Sequence, residues 1–203
     1  LGNPKKEKIY NIYSIEEISE MSFSCPNCVL LMKAPNSTQQ RPTLGIPDTK
    51  FVLLNDRAKM ITKAPIRVID LSLLELHNSR TFWDIGACTG SVSIEARRQY
   101  PHLNIQAFEV REECKDIIRA NARLHSAPGI DLHIGNFLNL PIAEDAIVDA
   151  VFIGGHGGKL KEIICKVASH LDKLKGKIVF NSVSEESNKL FREAVEENDL
   201  KLH

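Results

Sequence analysis

From about residue 51 onward, apolar and polar positions follow a repeating order. Ala64-Pro65-Ile66 reads as a helix start with proline in its first turn. Ile66, Ile69, Leu73 and Leu76 then recur at helical spacing. Residues 81–86 read as a strand that ends in a glycine turn, and 91–100 as a helix. A strand over 104–110, a helix over 112–125 and a strand over 130–134 follow. The pattern closes with a strand over 147–153, a helix over 160–171, a strand over 177–183 and a helix over 185–198. Several of these strands are apolar almost throughout, as strands covered on both faces are. The alternation predicts an α/β domain: a doubly wound, Rossmann-like parallel sheet between two layers of helices.

The first fifty residues differ. Residues 8–13 read as a strand, 14–21 as a helix with Ser14 as N-cap and Glu17 three positions later, and 28–32 as a second strand. Three such elements are too few to bury a core. Residues 33–50 carry Pro35, Pro42, Pro47 and Gly45 among small polar residues, a linker composition. The expected layout is the tail of a preceding module over 1–35, a linker over 36–50 and the α/β domain over 51–203. Residues 199–203 read as the start of a further strand, so the sheet is expected to lack its last strands here.

Composition narrows the function classes. Lys+Arg and Asp+Glu both total 26, giving zero net charge, which argues against a broadly basic nucleic-acid-binding domain. No apolar run approaches the ~20 residues of a membrane helix, and the first residues lack a signal-peptide apolar region. The five cysteines are odd in number and form no disulfide frame, so they read as reduced thiols of a cytoplasmic protein. Cys25 and Cys28 form a lone CxxC pair without a second Cys/His pair at zinc spacing, and are read as incidental.

The candidate chemistry sits where strands give way to loops. Trp83-Asp84-Ile85-Gly86-Ala87-Cys88-Thr89-Gly90 joins the first strand to its helix. Glycines there let backbone approach a ligand, and a helix N-terminus offers free N–H groups. A dinucleotide site wants the G-x-G-x-x-G spacing; here only Gly86 and Gly90 are present. S-adenosylmethionine lacks the pyrophosphate and wants an acid before the turn for its cationic amine, which is the place of Asp84. Glu109 ends the next strand, 19 residues after Gly90, where a carboxylate can accept from both ribose hydroxyls. Its alternative is a solvated acid. Asn136 and Phe137, after the strand at 130–134, are placed to bond an adenine edge and cover a ring face, or are a loop Asn beside a core Phe. Gly154, Gly155, Gly157 and Gly158 surround His156 at the end of the fourth strand. They suit a large flat substrate, with His156 available to bind a carboxylate or move a proton; the alternative is a flexible loop. Arg57, Lys59, Lys63 and Arg67 put positive charge near the first helix, suiting an anionic substrate or merely facing solvent.

Five segments together carry a resemblance: GIPDTKF at 45–51, ITKAPIR at 61–67, WDIGACTGSVSIEA at 83–96, FIGGHGGKL at 152–160 and KIVFNSVSEE at 177–186. Over about 44–190 the chain resembles the decarboxylating precorrin-6Y C5,15-methyltransferases of corrin (vitamin B12) synthesis, specifically their C15-methylating, decarboxylating domain. Residues 1–32 are similar to the end of the tetrapyrrole methylase module fused to it in that family. The resemblance implies a class I methyltransferase fold whose final antiparallel hairpin lies beyond residue 199. It implies S-adenosylmethionine as cofactor, contacted by Thr62, by Gly86, Ala87, Cys88, Thr89 and Gly90, by Glu109 and by the loop at Asn136. It implies an anionic tetrapyrrole as substrate and self-association, with tetramers among the stand-alone relatives. Cys88 departs from the family, which usually has glycine there.

The implied reaction is methyl transfer from a sulfonium to carbon 15 of a partly reduced tetrapyrrole, with loss of CO2 from the ring-C acetate. Lys63, Arg67 and the glycines Gly154, Gly155, Gly157 and Gly158 are expected to hold the macrocycle, with His156 as proton handler; no metal is needed. Alternative readings are a class I methyltransferase acting on RNA or another small molecule, a non-catalytic scaffold domain and, least favoured by the glycine spacing, a nicotinamide dehydrogenase.

Overall fold

The structure, a computed structural model, describes residues 8, 10–12, 14–23, 28–30 and 43–203. Within the first segment, α1 (Ile15–Ser19) starts at the expected N-cap: Ser14 Oγ accepts from the Glu17 N–H at 3.1 Å. The strands expected over 8–13 and 28–32 are absent from the described residues there. Two short apolar runs without a sheet to join have no ladder partners. The remaining positions of both runs lie outside the described residues.

Residues from 43 onward build one α/β unit. Its elements are α2 (Ala64–Leu73), β1 (Thr81–Ile85), α3 (Ser91–Gln99), β2 (Asn104–Glu109), α4 (Cys114–Leu124), β3 (Ile130–Ile134), β4 (Ala150–Ile153), α5 (Leu160–His170), β5 (Lys177–Phe180) and α6 (Glu185–Glu197). The five strands are all parallel, in the order β3-β2-β1-β4-β5. The order reverses between β1 and β4, and open sheets of this kind bind ligands at that switch point, outside the carboxyl ends of the strands.

Alternation along β1 divides the core between two layers. Trp83 and Ile85 face Val151 and Ile153 of β4, Leu160, Ile164 and Val167 of α5, and Ala194 of α6. Phe82 faces Leu71 of α2, Val92 and Ala96 of α3, and Phe152 of β4. Ile118 of α4 packs with Ala107 on that second side.

Two sequence expectations need correction. The apolar stripe of α2 points outward: Ile66, Ile69 and Leu73 are exposed, whereas Arg67, Asp70 and Leu71 are buried. The inner face carries Leu71 together with polar ties: Arg67 pairs with Glu95 of α3, and Asp70 accepts from Asn181 Nδ2 at 2.8 Å. Only Leu76 of the predicted stripe is buried, in a short 3-10 turn after the helix. The second correction concerns the linker. Its last residues belong to the fold: Ile46 packs with Phe51 and Ile61, and Asp48 bonds Arg67. Positions 36–42 lie outside the described residues.

Candidate functional site

The carboxyl ends of β1, β2, β4 and β5 open into one cleft of about 770 Å³. Its walls include Thr62, Lys63, Asp84, Gly86, Cys88, Glu109, Asn136, Gly155 and His156. The topology thus brings together most residues singled out from four separate loops.

The floor is built around Asp84. It lies near the end of β1, two residues before the glycine turn, and is 1% exposed. Oδ2 accepts from the Ser93 hydroxyl at 2.6 Å and the Ser93 N–H at 3.1 Å, so α3 holds the carboxylate by its first turn. Oδ1 has no hydrogen-bond partner among the described residues. Burial pushes the Asp84 carboxyl up to about 6 despite the lowering by Ser93, and the charges of Glu109 and Asp70 add to the rise. A buried carboxylate oxygen facing a cleft without a donor is a receptor for a cationic or N–H group. Thr89 Oγ1 is likewise buried and unpartnered among the described residues.

Close approach requires the glycine turn. Gly86 has φ +79°, and a Cβ there would lie 2.6 Å from the Gly155 nitrogen. Gly154 and Gly155 both donate to the Ile85 carbonyl, at 2.8 and 3.3 Å. These glycines therefore lock the two strand ends together at the switch point. Gly157 lines the cleft, while Gly158 and Gly90 stand outside it. Gly90 instead caps α3 in the left-handed region at φ 71°. The expectation of a glycine floor for substrate is thus narrowed: the first pair has a packing role that needs no ligand.

Glu109 ends β2 and is 2% exposed. Oε2 accepts from the Cys88 N–H at 2.8 Å. Oε1 accepts from the Arg111 N–H at 3.0 Å and pairs with its guanidinium at 3.4 Å. A carboxylate has about four acceptor positions, so one remains, and Glu109 lines the cleft. Arg111, which the sequence pattern did not single out, adds a cation to this wall; its spacing two residues after a strand-end acid is the only signal for it.

The loop after β3 is fixed from below. Asn136 Oδ1 accepts from the Leu138 N–H at 3.0 Å, closing a local turn. Lys166 Nζ donates to the carbonyls of Phe137 and Leu140 at 2.8 Å and of Leu138 at 3.2 Å. Nothing local to α5 marks Lys166 for this task in the sequence. Phe137, expected to cover a ring face, is 5% exposed and set edge-on to Trp83 and Phe108, with Lys166 over its ring. Part of its surface is thus used by the core, though Phe137 also lines the cleft.

Arg67 is the clearest correction. Its side chain is fully buried and does not reach the cleft. Nε donates to Glu95 at 2.9 Å and Nη1 to Asp48 at 2.9 Å; further bonds reach the carbonyls of Thr62 and Ile46. Burial raises the Asp48 carboxyl, but Arg67, the Ala64 N–H and Lys63 outweigh it and hold it low. Arg67 therefore shapes the 61–63 segment instead of meeting substrate. Lys63, half exposed and 3.4 Å from Asp48, does line the cleft, as do Lys59 and Lys159. His156 also lines the cleft, edge-on to Phe180 at 5.8 Å, with Nδ1 buried and unpartnered among the described residues.

Comparison with known proteins places this arrangement. Residues 54–203 match the precorrin methyltransferase domain family. A cobalt-precorrin-6B C(15)-methyltransferase (decarboxylating) from Salmonella typhimurium is 35% identical over 127 residues, covering 63% of this chain and 64% of that protein. A precorrin-6Y C(5,15)-methyltransferase [decarboxylating] from Sinorhizobium is 32% identical over 126 residues, 61% of this chain and 29% of that protein. The chain therefore spans less than two thirds of either curated relative. The crystal structure of a precorrin-6Y C5,15-methyltransferase from Geobacter metallireducens superposes with a TM-score of 0.70 at 35% identity, covering 78% of this chain and 82% of that one.

Proposed function

The chain belongs to the precorrin methyltransferase domain family, and from that premise we propose that its cleft binds S-adenosylmethionine and methylates carbon 15 of an anionic tetrapyrrole, with decarboxylation, in corrin assembly. The observation that carries the cofactor is the buried, unpartnered Oδ1 of Asp84 beside the Gly86 turn. The remaining acceptor position of Glu109 fits a ribose hydroxyl, and the missing glycines do not suit a pyrophosphate. When bound, the cofactor supplies an electrophilic methyl on a cationic sulfur.

The chain's own part is placement and charge. Asp84 accepts from the cofactor's ammonium group, and Glu109 accepts from a ribose hydroxyl. Thr62 lines the cleft with its carbonyl held by Arg67. Asn136, its oxygen committed to the loop, offers its amide N–H groups to an adenine edge. Lys59, Lys63, Lys159 and Arg111 around the cleft draw the substrate carboxylates in, and orientation of this kind accounts for much of such a rate gain. His156 is the residue placed to move a proton on the substrate side, where Gly157 leaves room for a flat ring.

The proposal includes the covalently attached methylase module and the self-association that the resemblance implies, in a cytoplasmic protein. Among the described residues no helix is long and apolar enough to cross a membrane.

The test is turnover. The chain is incubated with S-adenosylmethionine labelled in its methyl group and with a precorrin or cobalt-precorrin bearing the ring-C acetate. The proposal expects the label in the tetrapyrrole together with loss of one CO2. Label transfer without CO2 loss, or no transfer to either tetrapyrrole by a chain that binds S-adenosylhomocysteine, would overturn the assigned reaction.

A further inference from the structure

Beside the proposed ribose acceptor Glu109 lie two thiols that the proposed methyl-transfer chemistry does not use. Cys88 Sγ, Cys114 Sγ and a Glu109 carboxylate oxygen lie within 4.8 Å of one another, and all three residues are buried. They come from three separately anchored pieces: Cys88 from the turn after β1, Glu109 from the end of β2, and Cys114 from the first residue of α4. We infer that Cys88, Cys114 and Glu109 form a binding site for one thiophilic d10 metal ion of the zinc class, facing the floor of the cleft.

The donor set is selective. Two sulfurs and one carboxylate oxygen at this spacing match the three-ligand zinc sites that keep a fourth position for water. Hard cations such as magnesium take oxygen ligands and reject thiolates. Binding converts two thiols and one carboxylate into three anionic ligands and releases two protons to solvent, with no change of oxidation state. The site is also short of positive charge: Arg111 at the rim is the cation paired with Glu109. A divalent ion supplies the missing charge.

The geometry is held before any ion arrives. Cys88 adopts φ +49°, a left-handed conformation unusual for a residue with a side chain. Its own N–H is fixed to Glu109 at 2.8 Å. Glu109 is thus shared between two ligands. On the reading that its carboxylate receives the ribose, which this consequence rests on, metal and cofactor exclude each other, and the methyltransferase is inhibited by zinc-class ions.

The experiment uses the full chain with Cys25→Ser, Cys28→Ser and Cys165→Ser, so that Cys88 and Cys114 are the only thiols left. Cadmium is titrated while the ultraviolet thiolate-to-metal charge-transfer band is followed, and zinc is then used to displace it. The expected result is one equivalent bound, with the band strength of two thiolates. Affinity should fall about tenfold or more in Cys88→Gly and in Cys114→Ser, each checked for native circular dichroism. Two variants are used because either substitution alone could disturb the fold. Absence of a stoichiometric band in the folded chain, or a band unchanged in both variants, overturns the site. A separate arm measures S-adenosylhomocysteine affinity with and without zinc, expecting weakening of about tenfold or more. If the metal-free chain does not bind the nucleoside, the functional reading fails while the cadmium band still decides the metal site.

Discussion

Replacing Asp84 by Asn makes the electrostatics of the cleft floor measurable. The carboxyl is raised from 3.8 to about 6 with burial as the leading cause. Its folded-state value lies above its unfolded one, so the folded chain holds the proton more tightly. That contribution to stability is fully present below about pH 3.8 and is lost as pH rises through about 6. A rise of roughly two pH units corresponds to about 3 kcal/mol at most, and to about 2.5 kcal/mol between about pH 4 and about pH 7.5. Asn keeps an oxygen for the two Ser93 donors. Its amide nitrogen replaces the unpartnered Oδ1, at a cost of about 1–3 kcal/mol that does not vary with pH. The stability of Asp84→Asn relative to the parent should therefore improve by about 2–3 kcal/mol from the lower to the higher pH, read from urea unfolding at both. The same variant should bind S-adenosylhomocysteine about tenfold or more weakly, having lost a charge-assisted acceptor. A relative stability that is the same at both pH values would refute the claim that a buried, strained charge sits at this position.

Three further substitutions separate binding from support. Arg67→Met leaves Glu95 buried without its cation and should cost about 3–5 kcal/mol in urea unfolding, where an exposed substrate-binding arginine would cost almost nothing. Gly86→Ala drives a Cβ to 2.6 Å from the Gly155 nitrogen at a positive φ. It should lower stability by about 3 kcal/mol, seen as a fall in Tm, and abolish nucleoside binding together with it. Lys166→Met keeps the alkyl stem but removes the donor shared by three carbonyls of the 137–140 loop. It should cost about 1–3 kcal/mol and weaken S-adenosylhomocysteine in calorimetry, while binding of a fragment lacking the adenine stays unchanged.

The parts of the fold that were legible in sequence are those where one local signal decides. The strand at 130–134 and the helices beginning at 91 and 160 start where periodicity and glycine turns put them. The strand expected over 147–153 is shorter, because Ile147 is exposed and Val148 pairs outside the sheet with the chain around His170 and Leu171. Long-range partners were not legible. Nothing within a helical window tells that Arg67 turns inward to Glu95, twenty-eight positions on. The apolar residues at 66, 69 and 73 suggested the opposite face. Pro47 and Gly45 look the same in a loose linker as in a loop pinned by Asp48 and Ile46. At the site, Asp84 and Glu109 were readable as acids at or near strand ends, and the structure brings both to the cleft wall. Ser93 and Lys166 were not, since each acts on a residue that only the folded chain brings near, and Arg111 had only its spacing from Glu109 to mark it.

Calorimetric titration of the chain with S-adenosylhomocysteine, beside NAD and beside a Glu109→Ala variant, decides whether this cleft is a methyltransferase cofactor site. Saturable binding of S-adenosylhomocysteine at one site is expected, with its loss in Glu109→Ala and no heat from NAD. Binding of NAD in its place, or nucleoside affinity unchanged without Glu109, would contradict the assignment of this cleft.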